Sequence, residues 1–327
     1  MRFKPTQAAT NTALAAITLK ANGKPNGIPA HEMVSYVFGD KLPPKNGKIR
    51  AALDLLDQET EKLYRQKNYP VPGNNAYNNC HGRWSEALFA ILAWNTLAEI
   101  NAKRTDGTRF IFVQLPDRKE KEQEWTSLLL NDDCKTALNE FVLDNSHPIV
   151  NKSAHNRLLL IASNPDAVIL KYDAAEIQSL NLPLSVTTPF STFDKDDLSH
   201  LDNMYAAFSG KVLPSKNLVA LLSLKSSLRG DRRYQFVREG DNAKSILMYL
   251  FTRKADKGLS TAFFSNRFYC FSFEETNQQD LDVMDSAMSA YVSSPIMDPI
   301  WAVDKLYECT EFSIVQKAIK EIIRKST

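Results

Sequence analysis

The chain has 327 residues, 43% hydrophobic and 24% charged, which suits one large or two moderate cores and excludes a disordered or fibrous protein. A net charge of +2 excludes a uniformly basic nucleic-acid coat, so any surface for a polyanion must be local. The four cysteines, Cys80, Cys134, Cys270 and Cys309, form no CxxC pair, which argues against a zinc or dithiol motif and for free thiols.

The N-terminus lacks the charged-then-apolar order of a signal peptide, and no apolar run approaches the roughly 18 residues that span a bilayer. The expectation is a soluble cytoplasmic protein without membrane contact. Helices are expected over residues 10–21, 31–38 and 47–67, the last amphipathic through Ala52, Leu53, Leu56 and Leu63. Residues 69–82 are rich in Pro, Gly and Asn, which predicts a loop. It marks a boundary between a helical N-terminal part, 1–75, and the remainder, 76–327.

Dense apolar residues from Leu88 to Leu97 predict a buried helix over 83–103, with Glu86 in its first turn. A strand is expected at 110–115 and a helix at 119–143. Strands at 158–162 and 167–172 flank the turn Ser163-Asn164-Pro165-Asp166. Residues 180–200 read as loop, followed by a short helix at 201–208 and a buried strand at 219–224. Asp231 caps a helix running to about 253, residues 261–273 are strand-like, and helices at 281–292 and 312–325 close the chain. Strands interleaved with helices predict an α/β fold: a mixed central sheet flanked by helices.

Ser223 and Lys225 are two apart on a strand, so both side chains point to one face, and Asp166 starts a strand able to lie alongside. Glu239 stands about two turns into the following helix and meets that face if the helix folds back on the sheet. Two carboxylates and an ammonium suit phosphodiester hydrolysis, with Asp166 and Glu239 as oxygen ligands of Mg²⁺ and Lys225 beside the attacking water. Between Lys225 and Lys244 six cations face three anions. Arginine pairs bidentately with guanine and aspartate accepts from cytosine, so Arg229, Asp231 and Arg232 suit adjacent guanines and cytosines. Arg233 and Lys244 are expected on the DNA backbone. Blander readings exist for each residue alone: Pro-Asp is a common turn dipeptide, Asp231 a good N-cap, Arg232 and Arg233 a solvated face, and Glu86 a favourable first-turn acid.

Taken together these residues resemble the PD...(D/E)XK nucleases, except that the acid expected two before the lysine is Ser223 and Glu239 replaces it from the helix. That swap, with Lys225, Arg229, Asp231, Arg232 and Glu239 at their spacing, is similar to Type II restriction endonucleases that recognise purine-CCGG-pyrimidine and related sites. Asn78, Cys80, Gly82, Trp84 and Glu86 extend the likeness, which implies that Glu86 is an additional catalytic or second-metal carboxylate, with Ser223 inside the site. Arg253 occupies the place of an arginine that contacts the base pair outside CCGG. Gly230 departs from the proline of close relatives, leaving a less rigid loop.

The resemblance implies a restriction-endonuclease-like core, Mg²⁺ dependence and a double-stranded DNA substrate cut to 5′-phosphate ends with 5′ overhangs. It also implies a homodimer or a homotetramer of two dimers, and a cognate DNA methyltransferase acting in the same restriction-modification system without a stable complex. The setting would be a bacterial or archaeal cytoplasm. A structure-specific repair or recombination nuclease would keep Asp166, Lys225 and Glu239 but needs no guanine and cytosine readers. An inert DNA-binding regulator would need neither the lysine nor both carboxylates.

Overall fold

The computed structural model describes residues 5–116, 125–129, 165–226, 230–286 and 300–326. Four helices lead, α1 (Gln7–Ala16), α2 (Ala30–Phe38), α3 (Ile49–Gln66) and α4 (Asn74–Lys103), followed by β1 (Thr108–Gln114) and β2 (Ala167–Asp173). Then come α5 (Lys195–Phe208), β3 (Leu218–Lys225), α6 (Gly230–Thr252), β4 (Phe268–Ser272), α7 (Gln278–Ser286), β5 (Lys305–Glu308) and α8 (Phe312–Ser326). The strands form one sheet in the order β1-β2-β3-β4-β5. The β1–β2 and β2–β3 pairs are antiparallel, and β3–β4 and β4–β5 parallel, so the sheet is mixed, as expected.

Both sheet faces are covered, which is why β3 and β4 read as continuous apolar runs. Phe89 of α4 meets Phe112 of β1 at 5.9 Å and Phe271 of β4 at 4.8 Å between ring centroids, so α4 crosses the sheet on the Phe271 side. Alternation turns Ser223 and Lys225 to the opposite face, where α6 packs. The N-terminal helices share this core, contributing Ala13, Met33, Leu56 and Tyr64 to the same buried cluster as the strands. Two buried amides fasten the segment 186–190: Asn101 donates to Phe110 and Val186 carbonyls, and Asn95 both donates to and accepts from Phe190.

Several elements differ from expectation. The loop proposed for 69–82 ends at Gly73, and α4 starts at Asn74, because Cys80 and Trp84 are buried against the N-terminal helices and tertiary packing outweighs the weak helix propensity of asparagine. Helix α1 starts three residues early, at Gln7, where the Thr6 hydroxyl accepts from Ala9 N–H, and Ile17 is already extended. The expected loop up to residue 200 contains the first turn and a half of α5, begun by a capping box between Asp194 and Asp197. The strand expected over 261–273 is a 3-10 turn, Thr261–Phe264, then β4, with Asn266 at φ 58° between them. Four-residue β5 was too short to register as a strand. The strand at 158–162, most of the helix at 119–143 and the end of that at 281–292 lie outside the described residues.

Candidate active site

Asp166 sits immediately before β2 and is held from both sides by backbone. Its N–H donates to Leu222 O at 2.8 Å, and its carbonyl accepts from Leu115 N–H at 3.0 Å. The pairing of Ala167 with Leu222 then sets Asp166 beside Ser223 at the end of the antiparallel pair. Lys225 is the last residue of β3, and its carbonyl accepts from Phe273 N–H at 3.1 Å.

Helix α6 brings Glu239 back over that strand end. The Ser223 hydroxyl donates to Glu239 Oε2, with Asp166 Oδ2 3.3 Å away, so one buried serine stands between the two carboxylates. Lys225 Nζ is 3.2 Å from Asp166 Oδ2 and 3.6 Å from Glu239 Oε1. Leu224 N–H donates to Asp166 Oδ2, and Gln235 Nε2 to Glu239 Oε1 at 2.9 Å. The Phe236 ring lies 5.7 Å from the Lys225 ammonium. The Glu239 side chain is 2% exposed and that of Lys225 11%, whereas Asp166 at 27% opens toward solvent. One edge of the cluster is therefore accessible to a ligand.

Burial pushes the Glu239 carboxyl above the usual range and Asp166 adds to this, while Lys225 and the hydrogen bonds from Ser223 and Gln235 oppose it. Burial alone would push Lys225 down, but Asp166 and Glu239 outweigh it and hold the ammonium charged.

The donor set fits a hard divalent cation. Mg²⁺ is held by one or two carboxylates with the rest of its shell left to water and phosphate oxygens, and Asp166 and Glu239 are two carboxylates bridged by one hydroxyl. A cation would also offset the cost of the buried Glu239 charge. Among the described residues no group of three or more His, Cys, Asp or Glu side chains is arranged around a common metal position. Glu86 is half-buried and lines a cavity of about 490 Å³ together with Gln114 and Leu115, whose N–H is bonded to Asp166.

The expected base-reading cluster lies at the start of α6. Arg229 is outside the described residues, and Asp231 is in the first turn. Arg232 is partly exposed and donates through Nη1 to Ser226 Oγ at 3.1 Å, next to Lys225 in the chain. Arg233 is also partly exposed. Arg253 lies one residue past α6, exposed, its guanidinium donating to Tyr249 Oη and 5.3 Å from that ring.

Lys244 is a correction: it is not on the surface and so is no DNA-backbone contact. It is 0% exposed, paired with Asp304 at 2.8 Å and donating to Trp301 O. Asp304 also accepts from Arg267 and Phe268 N–H, so the pair ties α6 to the starts of β4 and β5. Sequence reasoning missed Gln235 and Gly240. Gln235 had a signal, its i,i+4 spacing to Glu239 on one helix face. Gly240 had none: a Cβ there would meet Ala302 O at 2.1 Å, a contact between residues far apart in sequence.

A family model described as Cfr10I/Bse634I restriction endonuclease matches residues 30–325. The Type II restriction enzyme Cfr10I of Citrobacter freundii is 30% identical over 182 residues, 55% of this chain. The match spans 56% of that relative's length, little more than half. The crystal structure of the Type IIF restriction endonuclease Bse634I with cognate DNA superposes with a TM-score of 0.78 and 24% identity, covering 96% of this chain and 99% of that one. A second structure, described as Bse634I restriction endonuclease, gives 0.76 over the same shares at the same identity. At that identity the superpositions establish the shared α/β fold.

Proposed function

Because the chain belongs to the Cfr10I/Bse634I restriction endonuclease family, we propose that it is a Type II restriction endonuclease that hydrolyses one phosphodiester in each strand of a palindromic DNA site containing CCGG. The observation that carries this reading is the meeting of Asp166 and Glu239 at one accessible strand end, where both face Ser223 and Lys225.

Asp166 and Glu239 would hold Mg²⁺, with Glu86 as a further carboxylate. When bound, the ion supplies Lewis-acid polarisation of the phosphate and a water of lowered pKa. Lys225, kept charged by its two carboxylates, acts as a cation facing the phosphate oxygens and not as a base. Ser223 and Gln235 hold Glu239 in one rotamer, and Leu224 N–H does the same for Asp166. Water attacks phosphorus and the 3′ oxygen leaves, so the cut strand carries a 5′-phosphate.

Arg229, Asp231 and Arg232 would read the guanines and cytosines, Arg233 a phosphate and Arg253 the outer base pair. A palindrome is read by symmetric subunits, so the active form would be a homodimer or a homotetramer of two dimers, cutting to leave 5′ overhangs. A cognate methyltransferase would protect host DNA in the same cytoplasm. No helix among the described residues is long and apolar enough to cross a membrane.

The test is digestion of a sequenced plasmid with purified protein and Mg²⁺, followed by run-off sequencing of the ends. Discrete breaks at CCGG-containing palindromes are expected. Structure-directed cutting would favour a repair nuclease, and binding without cutting an inert regulator.

A further inference from the structure

Ser223 and Ser226 stand on either side of Lys225 in the chain, and each bonds to a residue of α6. Ser223 donates to Glu239, and Ser226 Oγ accepts from Arg232 Nη1 at 3.1 Å. Arg232 and Glu239 are about two helical turns apart, so they share the face of α6 turned to the end of β3. The two bonds are separated by about 10 Å of helix rise. Together they fix the position and the direction of the first half of α6 on the strand end that carries Lys225.

The first of these bonds belongs to the catalytic arrangement, and the second does not. Among the described residues the Ser226 hydroxyl bonds to Arg232 and to neither Asp166 nor Glu239. Both Ser226 and Arg232 are partly exposed, so the pair lies at the accessible side of the strand end. A guanidinium pairs with guanine O6 and N7 through two parallel N–H groups. The edge made by Nε and Nη2 is distinct from the Nη1 group that meets Ser226, so one guanidinium can keep the serine and pair with a base.

We propose that Ser226 is a specificity-determining positioning residue, which sets the plane of the Arg232 guanidinium for a guanine and ties that contact to the strand carrying Lys225. This rests on the reading of Arg232 as a guanine contact. Arginine is a long side chain whose rotamer freedom is lost when it pairs with a base, and a guanidinium already held at one end has less to lose. The gain falls on the cognate site, because only guanine returns both bonds. Contacts to phosphates carry no sequence information and are untouched by this tether.

The test compares binding of a fluorescent duplex containing a CCGG palindrome with binding of the same duplex whose core is changed to TTAA, in Ca²⁺ as an oxygen-binding cation in place of Mg²⁺. Ser226→Ala should lower the ratio of the two affinities about 3- to 10-fold, with binding of the TTAA duplex changed less than about twofold. Ser226→Thr keeps a hydroxyl and should keep the ratio. Arg232→Ala should lower the ratio at least as far, and adding Ser226→Ala to it should lower it no further, as for two residues that act as one unit. A full ratio in Ser226→Ala beside a reduced one in Arg232→Ala overturns the assignment of Ser226 alone, as does a further fall in the double variant. A full ratio in Arg232→Ala removes the arginine as a base reader and the proposal with it. Equal binding of both duplexes by the wild-type protein overturns the CCGG reading as well.

Discussion

Ser223 donates its hydroxyl proton to Glu239, a residue on a different element that reaches the strand only because α6 packs back over it. The same oxygen lies 3.3 Å from Asp166, so a neutral side chain occupies the gap between two carboxylates that would repel each other at contact. Removing the hydroxyl leaves Glu239 with Gln235 as its remaining side-chain donor. Ser223→Ala should therefore cost about 1–3 kcal/mol at this site. The loss is expected as a raised Mg²⁺ requirement in the cleavage assay. An unchanged metal titration would remove Ser223 from the arrangement.

Lys225 is the cation nearest both carboxylates, and Lys225→Ala should lower the cleavage rate by about 10²-fold or more. Site-specific DNA binding should persist, since the proposed base readers Asp231 and Arg232 are separate residues on α6. Gel-shift and single-turnover cleavage on the same duplex separate the two. Substantial retained cutting would refute the role of the lysine.

Glu239 titrates above the usual carboxyl range because it is buried. The fold thus favours its protonated form, whose contribution is complete below the unfolded pKa and is lost as pH rises through the folded value. Glu239→Gln cannot titrate, so its stability relative to wild type should improve between about pH 4 and 8 in EDTA. Thermal melts across that range read the difference. A constant offset would show that the buried charge carries no such penalty, and Mg²⁺ should narrow the gap at neutral pH by binding the wild-type protein.

Gly240 follows Glu239 where α6 passes the segment before β5, with no room for a methyl group beside Ala302 O. Gly240→Ala would push the helix outward by roughly the size of the added group and withdraw Glu239 from Ser223. A loss of about 1–3 kcal/mol in urea unfolding is expected, together with weaker metal activation. Full activity in the variant would mean that the helix tolerates the shift.

Lys244 and Asp304 form a buried pair. Lys244→Met leaves the Asp304 carboxylate with backbone donors only and should cost about 3–5 kcal/mol. The salt dependence of DNA binding by the folded fraction should be unchanged. A reduced slope would place Lys244 on the DNA after all.

Much of this protein was legible in the chain. Apolar runs located β1, β2, β3 and the body of α4, because a strand or helix covered on both sides must be apolar throughout. The spacing of Lys225 and Glu239 within one strand-helix unit was also local information, as was Asp166 at a strand start. Tertiary structure decided what locality cannot express. Asn74 to Gly82 is helical because Cys80 and Trp84 are buried there, not because asparagine favours helix. Lys244 is buried because Asp304, sixty residues on, supplies its charge partner. Glu86 lines a cavity with Gln114 and Leu115, a placement set by the packing of α4 on the sheet. Residue types and periodicity are properties of neighbours in sequence. The distance between two charges on different elements is set by how those elements pack, and here that packing determines which carboxylates meet.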